Sequence, residues 1–394
     1  MKIPKGWSTI KLRQIGQCIG GLTYSPDDVV DDTQDGILVL RSSNIKNGGL
    51  SFNDNVHVRA KLPANSLTRK GDILVCVRNG SRGLIGKSAL ITGVGVGVTH
   101  GAFMMLFRAK ESAFVYQLFQ SREYFRQVHE NLGATINSIN GSDFLGFGFL
   151  FPPEVERAAI ANLLSTWDTA AKKTEQLIAA KNRWLNHLRE HQLTKQKQST
   201  RVKLKAATHE STARNGKRLG REAIMAVTKQ VGMRPMREET IAAAIDRYKV
   251  VRPRAFAYNP MRLNIGSIAI SSFDDDVLVS PDYVVFECDE TKLLPSYLNH
   301  LRRTRLWTSH FEVAGSGGVR IRIYYDDLAA FVFPLPTLIE QERVLAVLDS
   351  AAEEIEMLER YLAALQKQKR GLMQKLLTGQ WRVTVPTSKE VSNA

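Results

Sequence analysis

The chain has 394 residues, too many for one ordinary domain, and 43% of them are apolar, which excludes wholesale disorder. Its formal net charge of +15 calls for a polyanionic partner, either nucleic acid or an anionic membrane surface. The three cysteines, Cys18, Cys76 and Cys288, are odd in number and widely spaced, which argues against a disulfide framework or a zinc ribbon and suits a cytoplasmic protein.

The opening MKIPKGWSTIKL lacks the apolar core of a signal peptide. Residues 1–150 then show short β-type runs broken by Gly, Asn, Pro and Asp: Ile37–Leu40, Asp72–Val77 and Phe103–Phe107, followed by a helical stretch over Ala113–His129. Leu90–Phe107 is uncharged and long enough to span a membrane. However, Gly93, Gly95 and Gly97 alternate with Val94, Val96 and Val98, a period of two that predicts strand instead.

Residues 151–197 read as one long helix. Its apolar positions run Ile160, Leu164, Trp167, Ala171, Thr174, Ile178, Lys181, Leu185, Leu188, in steps of four and three. That is the seam of a coiled coil, interrupted only by Lys181. Between Lys195 and Arg237 the chain carries twelve Lys or Arg against Glu210 and Glu222. This run is either a phosphate-contacting surface or a solvated linker. Residues 198–333 repeat the earlier pattern, with strands at Ile265–Ile270 and Tyr283–Phe286 and a helix over Pro295–His310. A second long helix fills 334–380, with a seam at Val344, Leu348, Ala351, Ile355, Leu358, Leu362, Leu365, Lys369 and Leu372, and a flexible tail follows over 381–394.

The two halves are copies. Shifted by 184 residues, Gly133–Thr194 falls on Gly317–Thr378 without a gap; Ser142-Asp143-Phe144 meets Asp326-Asp327-Leu328, and Pro152, Glu156 and Leu164 meet Pro336, Glu340 and Leu348. Each copy reads as glycine-containing loop, short strand, proline, long helix. Thr337 and Glu340 have capping-box spacing, and Gly379 suits a helix end. The first copy keeps Glu156 but has Pro153 at the cap. Each seam needs a partner helix, and the other copy supplies it. The fold class is therefore α+β: two globular domains on a pair of long antiparallel coiled-coil helices, with an internal pseudo-twofold repeat.

Three spellings imitate enzymes. His187-Leu-Arg-Glu190-His191 matches a zinc-protease pattern, but the chain offers no third ligand. Gly80–Ser88 is one residue too long between its glycines for a phosphate loop. Asp282, Glu290 and Lys292 imitate a magnesium nuclease set, which needs carboxylates from separate strands. The competing readings are a self-sufficient metal-dependent nuclease and a nonspecific basic helical adaptor.

Several pieces together resemble the specificity subunits of type I restriction–modification systems. They are Pro4-Lys5-Gly6-Trp7, Leu40-Arg41-Ser-Ser-Asn44-Ile45-Lys-Asn47-Gly48, Gly80-Ser-Arg-Gly-Leu-Ile-Gly86-Lys87-Ser88-Ala89, and the duplicated block ending Pro334-Leu-Pro336…Glu340-Gln341. Two places depart from the family pattern: Val155-Glu156-Arg157, and the entry to the second domain around Val202–Lys205. The resemblance implies a non-catalytic subunit without cofactor or metal, and no membrane. It implies a bipartite target in double-stranded DNA, one half-site per domain, with two methyltransferase subunits on the helices and translocating restriction subunits recruited to the complex. No Asn-Pro-Pro-aromatic motif is present, so methylation falls to a partner.

Arginine pairs with guanine, and Asn or Gln with adenine, in the major groove. Candidate DNA contacts are thus Arg41, Asn44, Lys46, Arg78, Asn79, Ser81, Arg82, Lys87 and Asn137 in the first domain. In the second they are Lys203, Lys205, Arg252, Arg254, Asn259, Arg262, Arg320 and Arg322. Candidate partner-binding positions on the helices are Ile160, Leu164, Trp167, Ile178, Leu185, Val344, Leu348, Ile355, Leu358 and Leu362.

Overall fold

The computed structural model describes residues 3–31, 36–62, 64–132, 137–195, 199–229, 232–313 and 322–383. The chain divides into two compact units, residues 1–174 with 361–394 and residues 175–360. The helices are therefore not separate segments: each is shared, one part packing in each unit.

In the first unit, strands β1 (Ser8–Lys11), β2 (Gly16–Gly20), β3 (Ile37–Leu40), β4 (Ile73–Cys76), β5 (Ser88–Leu90) and β6 (Met104–Ala109) come first. Helices α1 (Ser112–Leu118), α2 (Arg122–Asn131) and α3 (Gly141–Leu145) and strand β7 (Gly148–Phe151) follow. β2, β6, β4 and β5 lie side by side, in that order, as an antiparallel sheet. Period-two alternation puts Ile73, Val75, Met105 and Phe107 on one face, against Phe114, Phe119, Tyr124 and Phe144 of the helices. Leu74, Cys76, Met104 and Leu106 face the other way, against Leu40 and Ile45. β1 pairs with β7 from Ser8↔Phe151 to Lys11↔Gly148.

The segment read as alternating strand is not one. Gly93–Gly95 is a short 3-10 turn, with Gly93 and Gly97 at φ +55° and +79°. Val94 is 71% exposed at its tip. Glycines that take positive φ make turns, which overrides the β-preference of the valines between them. No described helix is long and apolar enough to cross a membrane.

Helix α4 (Glu154–Thr194) leads into the second unit, whose strands include β8 (Thr200–Lys203), β9 (Thr208–Glu210), β10 (Phe256–Tyr258), β11 (Ile268–Ile270) and β12 (Val284–Cys288). Then come α5 (Pro295–Leu301), α6 (Arg305–Val313), α7 (Tyr325–Ala329), β13 (Val332–Leu335) and α8 (Leu338–Leu377). Its sheet order is β9-β12-β10-β11, the same topology as in the first unit, and β8 pairs with β13 as β1 does with β7. The repeat thus extends through the globular parts. The basic run is folded rather than a loose linker, since it supplies β8, β9 and the hairpin Met225–Thr228/Gly232–Pro235.

Both seams close as antiparallel pairs inside each unit. In the first, Ile160 and Leu164 pack with Met373, Leu376 and Leu377. In the second, Leu185 packs in one core with Leu348, Ala351 and Ile355. The two lysines that interrupt the seams have acidic partners on the opposite helix: Lys369 Nζ lies 2.5 Å from Asp168, and Lys181 Nζ 2.6 Å from Glu354. The Thr337–Glu340 capping box forms, and Gly379 ends α8 at φ +69°. Glu156, in the other copy, does something else: it accepts Trp7 Nε1–H at 3.0 Å and the Arg382 guanidinium at 2.7 and 2.8 Å.

Candidate nucleic-acid interface

The loop after β4 carries Arg78, Asn79, Ser81 and Arg82. Asn79 Oδ1 accepts the Ser81 N–H at 2.9 Å, an Asx turn that holds the loop open. Asn79 Nδ2 donates to Ser42 Oγ at 3.1 Å, and Asn137 Nδ2 donates to the Gly80 carbonyl at 3.2 Å. These bonds bring the Arg41 loop, the Arg78–Arg82 loop and Asn137 to one place. Arg78, Ser81 and Arg82 are exposed. The Arg78 guanidinium lies 5.8 Å from the ring centre of Phe103, itself 58% exposed. Arg41 is bound to Asp54 at 2.9 Å.

The second unit builds the same loop. Asn259 Oδ1 accepts the Met261 N–H at 2.9 Å, and Arg262 projects three residues after the asparagine, as Arg82 does. Seven residues after each asparagine comes a glycine at positive φ, Gly86 at +84° and Gly266 at +90°, and two residues later an edge strand. The segment entering α3 or α7 meets each loop: Ile139 N–H bonds the Val77 carbonyl, and Ile323 N–H the Pro260 carbonyl. Arg82 and Arg262 are exposed, with no carboxylate partner among the described residues. The Asn-x-x-Arg-x-x-x-Gly pattern escapes the 184-residue comparison because its own offset is 180. Phe103 and Tyr324, 51% exposed and bonded by Arg322 Nη1 at 3.3 Å, are further surface groups that sequence reasoning did not single out.

Other expected contacts lie elsewhere. Asn44 is fully buried: its amide donates to Ser51, Asp54 and Asn55, and its Oδ1 accepts the Arg41 N–H. It shapes the Arg41 loop and has nothing left for a base. Lys46 is exposed on the hairpin Ile45–Lys46/Gly49–Leu50, and Lys87 is half-buried before β5. Lys203 and Lys205 are exposed at β8, beside the helix entry. Arg252 and Arg254 precede β10, at the opposite end from Asn259, and pair with Glu287 at 3.3 Å and Glu290 at 2.9 Å. Arg320 lies outside the described residues.

The enzyme imitations do not assemble. His187 and His191 are exposed, and Glu190 accepts the Arg305 N–H. The amides of Leu84, Ile85, Gly86 and Lys87 all bond backbone carbonyls, so that turn has no free cradle for a phosphate. Asp282 and Glu290 stand at opposite ends of β12, and Glu290 is already paired.

On the helices, Ile160, Leu164, Leu185, Leu348 and Ile355 are buried in their own unit's core, while Trp167, Ile178, Val344, Leu358 and Leu362 are half-buried.

No family model matches the chain. It is 29% identical over 171 residues to the "Type I restriction enzyme EcoKI specificity subunit" of Escherichia coli K12, covering 42% of this chain and 37% of that protein. It is 28% identical over 186 residues to the StySPI specificity subunit of Salmonella potsdam, covering 45% and 40%. The matched stretch thus spans about two fifths of either relative's length. Among solved structures, the type I restriction–modification S subunit from M. genitalium matches with a TM-score of 0.56 at 12% identity, over 96% of this chain and 98% of that one. A chain from a structure of the assembly and conformational transition of a type I system matches at 0.53 and 16%, over 97% and 100%. The chain is thus related in sequence to the specificity subunits of type I restriction–modification systems, and it has their fold.

Proposed function

We propose that the chain is the DNA-recognition subunit of a type I restriction–modification complex, reading a bipartite, interrupted site in double-stranded DNA with one unit per half-site. The observation that carries this reading is the twice-built Asn-x-x-Arg loop, held open by the same Asx turn beside the same edge strand. An exposed arginine free of carboxylates can make a bidentate contact with guanine. Apart from the loop frame the side chains differ, with Arg78 and Phe103 around one and Met261 and Ile265 on the other, which fits two different half-sites. Methyl transfer and cleavage belong to the methyltransferase and translocating restriction subunits.

Of the seam residues, Ile160, Leu164, Leu185, Leu348 and Ile355 are buried in the chain's own cores, while Trp167, Ile178, Val344, Leu358 and Leu362 keep part of their surface free for a partner. These half-buried positions join an exposed apolar flank beside the seam in the proposed docking face for methyltransferase subunits: Leu163 and Tyr361 in the first unit, Leu177, Trp184, Val347 and Met357 in the second.

The test is a methylation map. The chain is co-expressed with the neighbouring methyltransferase subunit in a methylation-free host, and modified adenines are read with and without it. An interrupted two-part motif that depends on this chain is the expected result. Absence of any new motif with an intact partner returns the chain to a nonspecific basic adaptor. Charge reversal at Lys203 and Lys205 tests the basic run: a flatter salt dependence of DNA binding places it on the phosphates, and an unchanged slope removes it.

A further inference from the structure

The two units differ where their sheets end. In the first, Phe119 and Gln120 close α1 against edge strand β5: Phe119 is fully buried and stacks on Tyr124 at 4.9 Å, and Gln120 Nε2 donates to Ser88 Oγ at 2.8 Å. The corresponding residues after α5 are Arg302 and Arg303; Phe119 and Arg302 cap their helices in the same way. Beside edge strand β11 this leaves a cavity of about 570 Å³. Among the described residues its charged lining is Arg302, Arg303 and Lys229, with no carboxylate, and Asn264 and Asn299 add neutral donors. The Lys229 stem runs across Gly266, where a Cβ would sit 3.4 Å from Lys229 Cγ. Arg302 donates from its Nε to Asn299 Oδ1 at 2.9 Å.

We propose that this cavity is a phosphate-binding site, in which Arg302, Arg303 and Lys229 hold a phosphate group against the edge of β11. Arg302 and Arg303 repel each other, Lys229 lines the same cavity, and a dianionic group there supplies counter-charge. Burial, with Arg303 and Arg189 nearby, pushes Arg302 down to about 9, the cost a bound anion would relieve. Leu263–Gly266 continue the Arg262 loop and also line the cavity, so a DNA backbone phosphate flanking that half-site is one source. A free phosphate-bearing molecule is the other. Only the first source rests on the DNA-reading assignment.

The test uses the full chain. Thermal unfolding is followed in inorganic phosphate and in chloride at equal ionic strength, for wild type, Arg302→Gln, Arg303→Gln and Lys229→Gln. The wild type is expected to melt several degrees higher in phosphate, and Arg303→Gln and Lys229→Gln to lose most of that rise. Arg302→Gln is expected to melt above wild type in chloride, since it removes an uncompensated charge, and to gain nothing from phosphate. The slope of log affinity against log salt is then measured on DNA carrying the site. A phosphate rise lost in Arg303→Gln, with a slope smaller by about one, assigns the site to the DNA backbone. The same lost rise with an unchanged slope assigns it to a free phosphate-bearing ligand. No rise in wild type and no slope change overturns the proposal. If the chain reads no DNA site at all, the functional assignment fails, and the phosphate arm still decides the cavity.

Discussion

Arg82 and Arg262 hold the same position in the two copies, so each should govern one half of the target. Arg82→Ala is expected to relax one base position in one half-site, at a cost of about 1–3 kcal/mol in discrimination, and Arg262→Ala to do so in the other. Methylation maps of the two variants check this; a change in both halves from either variant would sink the assignment. A second single-residue effect comes from His100, fully buried with Nε2 3.1 Å from the Ile19 carbonyl and Nδ1 without a partner among the described residues. Burial lowers its pKa from 6.5. The unfolded chain therefore binds a proton near pH 6.5 while the folded chain still resists one, so stability is intact above that pH and falls as pH drops through it. Melting temperatures from pH 8 to 5 should decline less for His100→Gln than for wild type. The sequence named Arg78, Asn79, Arg82, Asn259 and Arg262 correctly as loop-borne, because Gly and Asn punctuate those loops. It could not tell them from Asn44 or Arg254, since a buried turn asparagine and an ion-paired arginine carry the same letters as free ones.

The long helices were legible because a 3.5-residue period is a local signal, and their lysine interruptions find carboxylates one helix away. Polar seam positions of this kind specify register. A double-mutant cycle on Lys369 and Asp168 should return a coupling of about 1 kcal/mol, since the pair is partly exposed. What the pattern hid is how each helix is fastened to its domain. Arg157 donates to the Pro152 carbonyl and to Glu111; Gln341 donates to the Pro336 and Lys292 carbonyls and accepts the Leu294 N–H. The departure from the family pattern at Arg157 thus performs the task of glutamine with a longer arm. Arg157→Gln should hold the melting temperature close to wild type, whereas Arg157→Ala should cost about 1–3 kcal/mol by leaving the carbonyl unpaired. Equal losses in both would show that the guanidinium–Glu111 pair matters more than the carbonyl.

For the whole molecule, the duplication showed in the sequence only where its offset stays near 184. It shifts to 192 at β1 and β8 and to 180 at the reading loops, and such slips erase a gapless match while the sheet order survives intact. Each long helix begins in one unit and ends in the other. One heptad inserted into both, after Thr174 and after Arg360, adds about 10 Å of helix and preserves the seam. If the proposed function holds, the spacer of the methylated motif is expected to lengthen, as read by a methylation map. Loss of one half-site instead would show that the helices do not set the spacing.

The division of the chain also sets the order in which the two units acquire their residues during synthesis. Residues 175–360 are continuous, so the second unit has all its material before residues 361–394 are made. The first unit, although begun earlier, lacks Leu372, Met373, Leu376 and Leu377 until all of the second unit has been made, and Ile160 and Leu164 stay uncovered until those side chains emerge. The expected order inverts the usual N-terminal-first sequence of domain folding. The part made first is finished last, and a chain released early leaves the first unit open beside a completed second one.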